Sequence, residues 1–347
     1  MEILTQNRSP SSRKTGAPTA PTILLGLAVA IAINYQPGLA QTTGPTKRLG
    51  ILASTWCPER DLPQRSLEPM LTSLADRGWI EGRNLIVDCV AASGRLQELP
   101  GLAAGLVARK PDVLVGESTP VVRALKQGTT KIPIVTAAPD PLASGIVTNL
   151  AHPEANITGL APMSLDLVAK RTELLKDLLP RLSRLAVILK AADPEDHERI
   201  QKDLSAAGPA LGFTWEIFDP PSVADVGELF ENIAAEGYDA VYVVSSPLLY
   251  LYRGNIVEAG IKYRIPTISD TTEYTRLGLL LSYGLQDRNL LQHAAEYVDK
   301  LLRGAKPADL PLQQPTKFEL VINLGIAKAL GLSVPQSFLL RADEVIE

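Results

Sequence analysis

The sequence predicts an α/β protein made of two lobes, each a parallel sheet flanked by helices. Short apolar, β-branched runs alternate with amphipathic helical patterns from Arg48 onward, and strands separated by helices demand parallel pairing through right-handed crossovers. The two halves also echo each other: RLGILAS at 48–54 returns as RLAVILK at 184–190, and KIPIV at 131–135 as RIPTI at 264–268. Finally, Lys131 to Leu175 reads as the close of one unit, a crossing, and the start of another. Open α/β sheets bind ligands beyond the carboxyl ends of their strands, so a crossing between two of them makes a cleft.

Taken in order, the first half predicts strand 48–54, a helix over 62–77, strand 84–90, a helix over 96–108, strand 113–116, a helix from Thr119 and strand 132–136. Leu67, Met70, Leu71 and Leu74 recur at helical spacing and stop at Gly78, an expected C′ glycine. Trp79 and Ile80, just past that stop, are expected to cap the core. The chain is extended again at Asn156–Gly159 before a helix near Asp166. The second half predicts strand 184–190, a helix over 195–207, strand 213–218, a helix over 223–236, strand 240–245, a helix over 249–263 and strand 265–269. Leu277–Gly284 reads as a strand leading back to the first lobe, followed by a helix over 289–302, a Pro-rich connector over 306–315, strand 318–322 and helix 324–330. Three crossings follow from this order.

The first 40 residues stand apart. Arg8, Arg13 and Lys14 precede an apolar run from Ile23 to Ile33 and then Gly38-Leu39-Ala40, the pattern of a secretory signal peptide with cleavage expected after Ala40. The run is about half of the ~20 residues that a membrane span needs. With no Cys at the cleavage point, the mature chain is expected to be periplasmic and not lipid-anchored. The net charge of −4 on 347 residues argues against nucleic acid, which calls for clustered Lys and Arg. Cys57 and Cys89 lie just past the ends of the apolar runs of consecutive predicted strands, Leu49–Ser54 and Asn84–Val87, where Cα atoms come within bridging distance, so a disulfide is expected in an oxidising compartment. A catalytic thiol is the rival reading, and neither Cys has a base beside it in sequence.

An ordered set of segments identifies a resemblance. It comprises Lys300–Pro311, Gln314–Asn323, Ala327–Leu332, Leu340–Ile346, Gly78–Asn84, Ile132–Val135, Asn156–Gly159, Lys170–Leu175 and Ser282-Tyr283-Gly284. In these the mature chain resembles a family of ABC-transporter substrate-binding proteins that includes tryptophan- and tyrosine-binding members. The resemblance implies the periplasmic-binding type I fold, two Rossmann-like lobes joined by a three-strand hinge. The lobes expected are 46–156 with 284–312, and 157–283 with 313–347. It also implies capture of a small solute, an amino acid or related carboxylate, for delivery to ABC permease transmembrane subunits. No cofactor, a monomer, and contact with the membrane only through the permease are expected. The chain departs from the family pattern where Ser118 stands in place of a glycine before Thr119-Pro120, at Lys190–Pro194, and at Trp56-Cys57.

The residues themselves point to a binding rim. Thr119 before Pro120 reads as a helix N-cap, whose free N–H groups suit a ligand carboxylate or simply cap the helix. Ser54 and Thr55 share that rim, with Ser245 and Ser246 their counterparts in the second lobe, where Pro247 repeats the hydroxyl–Pro arrangement. Asp140, Asp270 and Glu117 are placed to meet a ligand ammonium, or equally to cap or be solvated. Trp56, Tyr250, Tyr274 and Tyr283 offer rings for stacking or for enclosing a cation, or else packing. The expected ligand-binding set is Ser54, Thr55, Trp56, Ser118, Thr119, Asp140, Ser245, Ser246, Asp270 and Tyr283. No catalytic or metal site is expected: the three histidines are scattered and no HExxH, CxxC, Gly-x-Ser-x-Gly or phosphate-loop spacing occurs. A ligand-sensing receptor subunit is the alternative, and a hydrolase on this scaffold is the remaining one.

Overall fold

Each crossover returns the chain to the same edge, so a βα repeat builds a sheet whose strands all point one way. The computed structural model describes residues 45–347 except 56, 58–67, 154–155, 163–166, 191–193, 221–224, 286 and 316. The segment expected to be a signal peptide and Trp56 therefore lie outside the described residues. The first sheet comprises β1 (Lys47–Ala53), β2 (Leu85–Ala91), β3 (Val113–Gly116), β4 (Ile134–Thr136) and β5 (Ile157–Gly159), all parallel, in the order β2-β1-β3-β4-β5. The second comprises β6 (Arg184–Leu189), β7 (Thr214–Phe218), β8 (Ala240–Val244), β9 (Thr267–Ser269), β10 (Leu281–Leu285), β11 (Phe318–Asn323) and β12 (Glu344–Ile346), in the order β12-β11-β10-β9-β8-β6-β7. Only the β10–β11 pair is antiparallel. The fold class read from the sequence holds.

Helices cover both faces, and the period-2 alternation of the strands decides which residue meets which helix. From β1, Leu49 and Ile51 pack with Met70 and Leu74 of α1 (Glu68–Asp76) and Val298 of α10 (Asp287–Leu302), while Leu52 packs with Leu106 of α2 (Leu99–Ala108) and Val121 of α3 (Thr119–Gly128). In the second sheet, Tyr242 and Val244 face Leu174 of α4 (Val168–Leu178) and Leu204 of α5 (Pro194–Leu211). Val241 and Val243 face Phe230 of α6 (Val226–Ala235) and Ile256 of α8 (Arg253–Lys262). Each buried Leu, Ile or Met among them is worth about 2–5 kcal/mol against truncation to Ala. The Trp79 indole, expected to cap the core, packs on it and donates to Asp299 of α10 at 2.7 Å, whereas Ile80 is 38% exposed. Cys57 and Cys89 form a disulfide with Cα atoms 5.7 Å apart. Cys89 lies inside β2 and not past its end.

The chain passes between the sheets three times: after β5, after β10, and between residues 313 and 318. The first and third passages run side by side, Gln313 donating its N–H to Gly159 O and Ala161 to Gln313 O. Ile157 to Gly159 stays with the first sheet because Asn156 donates from its amide to Thr129 O and Ile132 O and lays the segment against β4. Gly284 and Leu285 stay with the second sheet. The expected boundaries at 156/157 and 283/284 therefore each fall a few residues short of the crossing. Arg171 of α4 is fully buried and donates to the Tyr283 carbonyl at 2.7 Å and the Tyr242 hydroxyl at 3.1 Å. This bonding ties the helix after the first crossing to the strand before the second. Three short elements escaped the sequence reading: α9 (Thr272–Leu277), closed by Gly278 at φ 129°, α12 (Gln336–Leu339) and β12. The strand expected from Leu277 begins at Leu281. The remaining helices are α7 (Pro247–Leu251) and α11 (Leu324–Ala329). Among the described residues no helix is long and apolar enough to cross a membrane.

At Gly284 a Cβ would sit 1.7 Å from the Asp270 carbonyl oxygen, a backbone approach that no side chain permits. Gly284→Ala should therefore destabilise by about 3 kcal/mol or more in urea denaturation, because β10 must move off β9. Gly254→Ala, in α8 with open space around it, should be neutral or gain about 0.5–1 kcal/mol.

Candidate functional site

The carboxyl ends of the parallel strands collect on one edge of each sheet, and two contacts show that these edges face each other. Beyond β4, Asp140 meets Arg199 of α5, in the second lobe, with 3.6 Å between the guanidinium and the carboxylate. Beyond β2, the Gly94 backbone packs on the second lobe: a Cβ built there would lie 3.1 Å from Leu248 and 3.7 Å from Leu251 of α7. The order β2-β1-β3-β4 places the ends of β1 and β3 between these two contacts. Ser54, Glu117 and Ser118 thus sit at the middle of the first sheet's carboxyl edge, and Ser245 and Asp270, beyond β8 and β9, belong to the facing edge.

On the first lobe, Ser54 is buried and spends its polar groups on Glu117: its N–H and its hydroxyl both donate to Oε1, at 2.8 and 2.6 Å. Thr55 follows, half-buried. Glu117 as a residue is half-buried, but its carboxyl lies against buried Ser54, and burial pushes it above the ordinary carboxylate range even though both Ser54 bonds oppose the shift. No cation pairs with it among the described residues. Ser118, and not Thr119, is the N-cap of α3, with φ −137° and ψ 157°; Thr119 is the first helical residue and Pro120 the next. Proline's preference for the first helical turn, and not for one position in it, moves the cap by one residue. The Ser118 hydroxyl is buried, makes no capping bond and has no hydrogen-bond partner.

On the second lobe, Ser246 caps α7 with nearly the same backbone, φ −138° and ψ 162°, but its hydroxyl already accepts from Leu249 N–H at 3.3 Å. The echo between the lobes therefore pairs Ser246 with Ser118 and not with Thr119. Asp270 is buried and fastens two strand ends together, one oxygen accepting from Ser245 N–H at 2.9 Å and from the Ser269 and Thr271 hydroxyls. Tyr274 is fully buried, its hydroxyl beside Ser245 without a bond of good geometry, and burial with the nearby Asp270 charge pushes its pKa well up. The Tyr250 hydroxyl donates to Glu273, and Arg253 lies over the Tyr250 ring at 4.5 Å. Tyr283, expected on the rim, turns its ring to Phe318 at 6.0 Å beside the crossing, where it packs on the second lobe's core. Asp140 spans the cleft to a cation of the protein itself, an arrangement with no signature in the sequence because Arg199 is only one of several charges along α5.

Comparison with known proteins adds the following. Residues 63–346 match the family model described as ABC transporter substrate binding protein. The chain is 26% identical over 290 residues to the tyrosine-binding protein of Clostridioides difficile strain R20291, covering 82% of this chain and 81% of the relative. Among solved structures it is similar to a conserved domain protein of Vibrio cholerae, with 27% identity, a TM-score of 0.77 and coverage of 86% and 99%. A Streptococcus pneumonia protein solved in complex with L-Trp matches at 24% identity and a TM-score of 0.76, with coverage of 87% and 100%.

Glu117 has a sign that can be tested. Its folded pKa lies above the unfolded value near 4.5, so the native state keeps a proton where the unfolded chain has lost it, and stability falls as pH rises from that value. Glu117→Gln should leave the ligand-free protein unchanged near pH 4 and more stable than wild type near pH 8, read as urea midpoints at the two pH values.

Proposed function

Because the chain belongs to the family of ABC transporter substrate-binding proteins and carries the type I periplasmic-binding architecture, we propose that it captures an amino acid in the cleft between its sheets and delivers it to a membrane permease. The observation that carries this reading is the Ser118 hydroxyl, buried and unbonded at the N-terminus of α3 between the two cross-lobe contacts. The unpaired N–H groups and dipole of a helix N-terminus favour an anion, and a ligand carboxylate there would accept the bond that Ser118 lacks. Tyrosine- and tryptophan-binding relatives make aromatic amino acids the first ligands to try. The segment over residues 1–40 reads as the export leader, so capture takes place outside the cytoplasm. Solute held by both edges stabilises the closed form over the open one, and the closed form is what the permease receives. The Asp140–Arg199 pair, its acid buried, also spans the two lobes.

A thermal-shift screen of residues 41–347 against the natural amino acids tests capture, since a ligand at 100 times its Kd adds about 2.7 kcal/mol. Ser118→Ala should hold or raise the ligand-free melting temperature, because it removes a buried hydroxyl that has no partner, and weaken binding about tenfold, the value of one charge-assisted hydrogen bond. Unchanged affinity in calorimetry would remove Ser118 from the site.

A further inference from the structure

We propose that Glu117 is the specificity-determining residue that reads the ligand's cationic group, so that the site takes α-ammonium acids and rejects their deaminated counterparts. The inference rests on the amino-acid reading above and assigns the half of the ligand which that reading leaves open. In an α-amino acid the ammonium and the carboxylate share one carbon, so the groups that receive them must be neighbours. Glu117 and Ser118 are consecutive at the end of β3, and Ser118 is the group offered to the carboxylate.

Asp140, Asp270 and Glu117 differ in what they have left to give. Asp140 already faces Arg199. Asp270 takes a backbone N–H and two hydroxyls and holds the ends of β8 and β9 together. Glu117 is held by Ser54 through Oε1 and by its own backbone N–H, and no cation pairs with it among the described residues. Both Ser54 donors fix the carboxylate in place, and the buried, uncompensated charge that results is stabilised most by a cation arriving with the ligand. The upward displacement of its pKa in the ligand-free protein is the same imbalance seen from the protein's side.

The experiment is calorimetric titration of wild type, Glu117→Gln and Asp270→Asn with L-tyrosine, L-tryptophan and their deaminated isosteres, hydroxyphenyl-propionate and indole-propionate. Gln keeps an oxygen for Ser54 and removes the charge, so the loop geometry survives. Wild type should prefer each amino acid over its isostere by about thirtyfold or more, the effect of leaving a desolvated charge unpaired. Glu117→Gln should erase most of that preference, chiefly by losing affinity for the amino acids. Equal binding of both members of a pair by wild type overturns the Glu117 assignment and leaves solute capture standing. Preference kept in Glu117→Gln but lost in Asp270→Asn overturns it in favour of the second lobe's acid. No heat with any of the four compounds in wild type overturns the aromatic amino-acid reading and the assignment together.

Discussion

Parallel pairing constrains everything else in this protein. A parallel strand needs a crossover before the next one, so the carboxyl ends of β1 to β4 lie on one edge, and those of β6, β8 and β9 on one edge of the other sheet. Three passages of the chain hold the two edges in register. The buried Arg171 guanidinium reinforces the arrangement by bonding the Tyr283 carbonyl, and Gly284 lets β10 lie against the Asp270 backbone. A strand-end acid and a crossing strand are thereby packed directly against each other.

The cleft is polar at a cost to the ligand-free fold. Ser118 carries a hydroxyl with no partner, and Glu117 a carboxylate that burial disfavours. Neither would survive selection for stability alone, since a buried unsatisfied group costs about 1–3 kcal/mol. Ser54, by contrast, is satisfied, its N–H and hydroxyl both held by Glu117. The disulfide acts on the same rim: Cys57 closes the loop after β1 onto β2, next to the strand end that bears Ser54.

Most of the architecture was legible because the apolar runs and helical spacings are strong and regular, and because the ordered family segments fix three crossings. What escaped was short or set by distant contacts. The α9 turn and the β12 strand are each held by neighbours far away in sequence, as when Arg276 of α9 bridges Glu344 of β12. The crossing limits slipped because Ile157 and Leu285 look equally apolar on either side. At the strand ends, residue types point to an edge, but which groups are already held is decided by contacts distant in sequence. Sequence could not show that Arg199 reaches Asp140, that Ser246 satisfies its own helix, or that Tyr283 turns to Phe318.

Hydrogen exchange of residues 41–347, with and without saturating L-tyrosine or L-tryptophan, tests most directly whether one solute is gripped by both edges. Slowed exchange is expected at the start of α3, residues 118–122, together with the start of α7, residues 245–249. Slowing confined to a single edge, or found only away from both, would contradict it.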